Sequence, residues 1–264
     1  MARVIAPFHL MLFCGGAALV AGALRSGWHA PRHYPAIIGF RQFLPPLISL
    51  TLLTALGSFM FQWLSAFMDW QPSVNFGRDQ VLIGALPSVE GTVEIASVAR
   101  IVVTNLLLLG PVLLAMRRWR LPFGSVTALF TTVAVGMAAL TNFHLAATIA
   151  AVTAGGLAAD LLIYGLAPSP AKSLAYRIVA GVVPLVMWTA YFLLLRAAYG
   201  IRWPFDLWLA AVGLTAVTGL ALSFLAVPPT IPRGVWAPSS LPEAEVAGEP
   251  PIPTEAIGSS SEPS

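Results

Sequence analysis

Residues 97–142 read SVARIVVTNLLLLGPVLLAMRRWRLPFGSVTALFTTVAVGMAALTN. Two apolar runs, 97–116 and 123–142, flank a short basic segment carrying Arg117, Arg118 and Arg120. About 20 apolar residues at about 1.5 Å each cross a hydrocarbon layer of roughly 30 Å. The pair therefore reads as a helical hairpin through a membrane. Its basic turn belongs on the cytoplasmic side, where Lys and Arg accumulate.

Five further runs have the same character, at 5–24, 44–65, 145–166, 177–198 and 205–227. Across the 264 residues, 58% are hydrophobic and 9% charged, against about 25% charged in a soluble domain. So few charges cannot cover a soluble globule. An ordinary soluble enzyme, a nucleic-acid-binding domain and a disordered hub are excluded. The fold expected is an all-α polytopic bundle of seven spans in a lipid bilayer. Its membrane domain covers 1–227, with an extracytoplasmic loop at 66–96. Residues 228–264 hold nine prolines, five of the eleven acids and one base, Arg233. Such a tail cannot bury enough apolar surface to offset chain entropy and is expected to be a disordered cytoplasmic segment.

Loop charges set the orientation. With the N-terminus outside, nine bases fall inside (Arg25, Arg32, Arg41, Arg117, Arg118, Arg120, Lys172, Arg177 and Arg233) and five outside. A rival reading treats Arg3 and the first run as a signal peptide ending near Ala21-Gly22-Ala23. It inverts the balance and would translocate the Arg-Arg-Trp-Arg turn, so span one is taken as retained. Trp28, Trp63, Trp119, Tyr164, Tyr199 and Trp203 fall near span ends, as interfacial aromatics do.

Polar residues inside the spans are the candidates for chemistry. Asp160 lies about 22 Å from the outer end of the fifth span. An acid there is costly unless paired, and it could relay protons or bind an ion. The plainer reading pairs it with the basic rim, through Arg118, Lys172 or Arg177. Asn105 and Thr104, in the middle of the third span, would hydrogen-bond across helices or line a polar path. His9 and His144 share the outer face. They could ligate haem if their helices were neighbours, or a metal together with Glu90 and Glu94 of the outer loop. Solvated loop charges and interfacial histidines are the plainer reading. His29 and His33 are four apart, but Pro31 between them argues against a helical metal pair.

The small residues Ala151, Gly155 and Ala159, and Gly213 with Gly219, read as close-packing faces. Cys14, the one cysteine, reads as a small buried hydrophobe. No phosphate loop, nucleophile elbow, zinc-protease motif or dinucleotide fingerprint occurs. The pattern leans away from an enzyme, favours no cofactor, and shows nothing for nucleic acid.

The segments Met116–Gly124 and Leu157–Leu162, with Pro184-Leu185-Val186-Met187-Trp188 and Leu225–Pro229, are the distinctive part. Over roughly 95–229 the chain resembles a group of uncharacterised bacterial polytopic membrane proteins. The resemblance implies a helix bundle in a bacterial inner membrane and carries no activity or site residue. Three functions stand as expectations. The first is a non-catalytic subunit or accessory protein of a membrane assembly. The second is a small solute or proton-coupled permease using Asp160. The third is a haem- or metal-handling protein using His9 and His144.

Overall fold

The computed structural model describes residues 7–29, 36–37, 39–68, 87–144, 146–201 and 203–228, with side chains except at 36–37 and 87–94. In these residues seven helices follow one another: α1 Pro7–His29, α2 Phe40–Met60, α3 Pro87–Arg118, α4 Ser125–Leu140, α5 Ala146–Leu166, α6 Ser173–Ala198 and α7 Phe205–Ala226. A two-residue strand, β1 (Ala36–Ile37), pairs in parallel with β2 (Trp119–Arg120). A 3-10 turn at Gln62–Leu64 follows α2.

Six of the helices are long and apolar enough to cross a membrane; α4 is shorter. At 16 residues, α4 spans about 24 Å, less than the roughly 30 Å hydrocarbon layer. The sequence predicted a run over 123–142, but the backbone at its start turns at Phe123-Gly124. Gly124 takes a left-handed φ of 88° there, a conformation suited to glycine.

Helices α2, α4, α5, α6, α7 and α3 form a closed circuit in which each packs on the next, and α3 also touches α6. Helix α1 lies outside this circuit and packs chiefly on α2. In lipid no hydrophobic force drives helices together, so close approach and polar contacts must hold the circuit. Ala151, Gly155 and Ala159 are buried on α5 as their spacing predicts. A Cβ on Gly155 would stand 2.6 Å from the Met187 side chain of α6. Gly219 of α7 sits against the carbonyl oxygen of Ala180. Gly213 is different: it faces open space and packs on nothing. Its six-residue distance from Gly219 puts the two on different faces of a 3.6-residue helix.

Three other expectations change. Cys14 is exposed on α1 rather than buried, because α1 has a neighbour on one side only. The expected outer loop is partly helix: α3 begins at Pro87, since proline is well placed in a first helical turn and breaks only the residues before it. The other end of that loop is not solvent-exposed. Ala66 and Phe67 are buried against the bundle. The rest of it, including Asp69, Asp79 and Val81–Leu86, and the tail beyond Pro228 lie outside the described residues, as does His33.

The chain alternates direction, so α1, α3, α5 and α7 end where α2, α4 and α6 begin. That end carries Arg25, Arg41, Arg117, Arg118, Arg120, Lys172 and Arg177, and its one acid among the described residues is Asp160, buried six residues before the end of α5. The opposite end carries Arg196 and Asp206, with Arg100 on α3. The α4–α5 turn at that end is tight, with Asn142 and Phe143 at φ 51° and 59°. Asparagine tolerates this region; phenylalanine rarely adopts it.

Candidate functional site

Helix α4 begins inside the bundle. Asp160 stands opposite its first turn, six residues before the end of α5, or about 9 Å from it. A helix leaves its first four backbone N–H groups without intrahelical partners. Gly124, at the capping position, has no side chain to supply an acceptor. Asp160 supplies it from the neighbouring helix. The Val126 N–H donates to Oδ1 at 3.1 Å, and the Thr127 N–H donates to Oδ2 at 2.9 Å. The Thr127 hydroxyl donates to the same Oδ2 at 2.6 Å.

These are the N–H groups that a capping side chain within α4 would satisfy. The carboxylate also meets the positive end of the helix dipole. Asp160 is 1% exposed, and Arg118, Lys172 and Arg177 do not pair with it. Arg118 Nε donates to the Trp28 carbonyl at 2.9 Å, and the Arg177 guanidinium lies 4.1 Å from the Phe224 ring centre. Gly156, one turn before Asp160, makes the approach possible. A Cβ there would stand 2.7 Å from the Thr127 Cα. The buried Ser125 hydroxyl beside this contact has no hydrogen-bond partner among the described residues.

A second polar node ties α3, α6 and α7 together. Asn105 is fully buried. Its Nδ2 donates to the Thr215 carbonyl at 3.1 Å and to Thr218 Oγ1 at 3.3 Å. Its Oδ1 accepts from Trp188 Nε1 at 3.3 Å. The carboxamide therefore serves both neighbouring helices at once. Asn105→Leu keeps the volume and removes all three bonds, leaving the Trp188 N–H unpaired. Helix-to-helix hydrogen bonds in membranes contribute about 0.6 kcal/mol on average and up to about 1.7. We expect about 1–3 kcal/mol of lost stability, read as an earlier unfolding midpoint in mixed micelles. An unchanged midpoint would show that the node is dispensable.

Thr104, next to Asn105, holds a different group. Its hydroxyl donates to the Arg100 carbonyl at 2.8 Å and accepts from the Ala66 N–H at 2.9 Å. Tyr191 of α6 donates to the Ala66 carbonyl at 3.2 Å. Both polar atoms of the Ala66 peptide are thus satisfied inside the bundle, as burial requires. Phe67 stacks on Trp188 with ring centres 6.3 Å apart. The chain after α2 is a plug, fixed by α3 and α6.

Asp160 and Asn105 share no hydrogen-bond partner. His9, on α1, and His144, beyond α4, are both exposed. Helix α1 packs chiefly on α2, whereas the helices flanking His144 pack on α2, α6 and each other. Glu90 and Glu94 lie on the first turns of α3, with side chains outside the described residues. Among the described residues no three His, Cys, Asp or Glu side chains gather to hold a metal ion.

Thr127, Trp188, Tyr191 and Ala66 were not among the sequence candidates. Thr127 alone had a local signal: it lies three residues after Gly124, in a helix start without a capping side chain. No protein-family model, curated protein or solved structure matches the chain.

Proposed function

We propose that the chain is a non-catalytic subunit or accessory component of a larger assembly in a bacterial inner membrane. It crosses seven times, with the N-terminus outside and the basic end of the bundle in the cytoplasm. The observation that carries this reading is α1. It is a 23-residue apolar helix with no buried residue. Phe8, Met11, Leu12 and Leu19 are each more than 70% exposed. One side is fastened to the bundle. Ser49 of α2 donates to the Val20 carbonyl and accepts from the Leu24 N–H, and the rings of Trp28 and Trp119 meet edge to face at 5.3 Å. The other side is free for lipid or for a partner helix.

The polar residues of the spans point the same way. Asp160, Asn105 and Thr104 all bond to groups of the bundle itself. A permease would need Asp160 to exchange these contacts for substrate or proton, so that reading ranks second. A haem or metal site would need His9 and His144 together, but α1, which carries His9, packs chiefly on α2 rather than on either helix flanking His144. That reading ranks third.

A photo-crosslinking residue at Leu12 or Leu19, introduced in the native membrane, tests the proposal. We expect a discrete protein adduct of one size from both positions, and none from Leu225 on α7, which is equally exposed. Lipid adducts alone from Leu12 and Leu19 would overturn it.

A further inference from the structure

At the basic end, two adjoining clefts open between the end of α3, the end of α5 and the start of α6. One, of about 190 Å³, is lined by Arg120, Ala167, Pro168, Ser169 and Lys172. The other, of about 130 Å³, shares Arg120, Ala167 and Pro168 and continues along Leu121, Ile163 and Tyr164. The first is thus walled by two cations and the second largely by apolar side chains. Arg120 and Lys172 are both exposed. Neither side chain makes a hydrogen bond or ion pair with the described residues, whereas Arg118 and Arg177 of the same end are engaged with Trp28 and Phe224. Helix α6 begins at Ser173, directly after Lys172, without a side-chain cap, which adds the positive end of a helix dipole.

We propose that these clefts bind the phosphate of an anionic phospholipid, with Arg120 and Lys172 as its counter-charges. Guanidinium and ammonium groups are the usual partners of phosphate oxygens. Basic recesses between membrane helices on the cytoplasmic side suit anionic headgroups. The apolar half decides for lipid over a soluble phosphate compound. It leads from the two cations to Tyr164, which is 79% exposed beside the exposed Phe123. Glycerol and the first acyl carbons would lie along that wall. A free phosphate ion has no use for it.

The proposal rests on the membrane reading and not on the accessory role. Recovery of the full chain in the membrane fraction checks the membrane reading, separately from lipid binding. The test is thermal unfolding in maltoside micelles with added phosphatidylglycerol, phosphatidylcholine or inorganic phosphate. We expect phosphatidylglycerol to raise the midpoint by several degrees and the other two to leave it unchanged. The double variant Arg120→Gln, Lys172→Gln should need at least tenfold more phosphatidylglycerol for the same rise. Arg196→Gln, at the opposite end, should respond like the wild type. Both cleft cations are exposed, so the double variant is expected to fold, which its midpoint without lipid will show. Equal responses to the two lipids, an unaltered response in the double variant, or a full response to inorganic phosphate would each overturn the lipid site.

Discussion

Asp160→Ala is expected to cause the largest loss of stability of any single substitution of a polar residue in this protein. It removes three hydrogen bonds at once. Two of the donors are backbone N–H groups that have no helical partner and, in the recessed start of α4, little water to turn to. An unsatisfied buried donor costs about 1–3 kcal/mol, and loss of a helix cap alone about 0.5–2 kcal/mol. We therefore expect about 2–5 kcal/mol, seen as an unfolding midpoint displaced far toward low denaturant in mixed micelles. Asp160→Asn keeps an acceptor oxygen but gives up the charge facing the helix dipole. Its loss should be smaller, about 1–2 kcal/mol. A stable Asp160→Ala variant would refute the capping role. If such a variant also lost a transport activity, the permease reading would move to the front.

Gly219→Ala is the second. The added Cβ would lie 2.2 Å from the Ala180 carbonyl oxygen, 3.0 Å from Leu109 and 3.2 Å from Pro184. The nearest atom is backbone, so no rotamer change relieves the clash and α7 must move away from α6. Overpacking of this kind costs about 1–3 kcal/mol, occasionally more. The shift would also carry the adjacent Thr218, and Thr215 one turn earlier, away from Asn105. Gly213→Ala is the internal comparison, because its Cβ meets nothing within 4 Å. It should be neutral or slightly stabilising, since alanine favours a helix by up to about 1 kcal/mol over glycine. Equal midpoints for the two variants would show that the α6–α7 contact is softer than its geometry implies.

The helices were legible because the signal is carried by every residue of each run. Six of the seven predicted runs correspond to helices long enough to cross a membrane. The shortness of α4 was not legible, because its start is decided by the Gly124 turn and by a carboxylate 34 residues away from Val126. Asp160 was identified as a residue needing a partner. A partner made of backbone N–H groups leaves no mark in a list of charged side chains, so the arginines and the lysine were the candidates. Asn105 was read as a link across helices, and the structure adds which ones. The burial of Ala66 and Phe67 had no signal at all, since it depends on Thr104 and Tyr191 meeting the two sides of one peptide. Gly155 and Gly219 were found by the small-residue pattern, and Gly213 shows that such a pattern without its helical face misleads.

The cap on α4 also bears on how the chain is made. Synthesis delivers α4 before Asp160 exists, so for some 34 residues of translation the start of this short helix has no acceptor for its N–H groups. A segment in that condition gains little by entering lipid alone, where unsatisfied backbone groups are most costly. Helix α5 brings the acceptor and, through its small residues, the surface on which α4 packs. The two helices should therefore be released from the translocon as one hairpin, with insertion of α4 deferred until α5 has emerged.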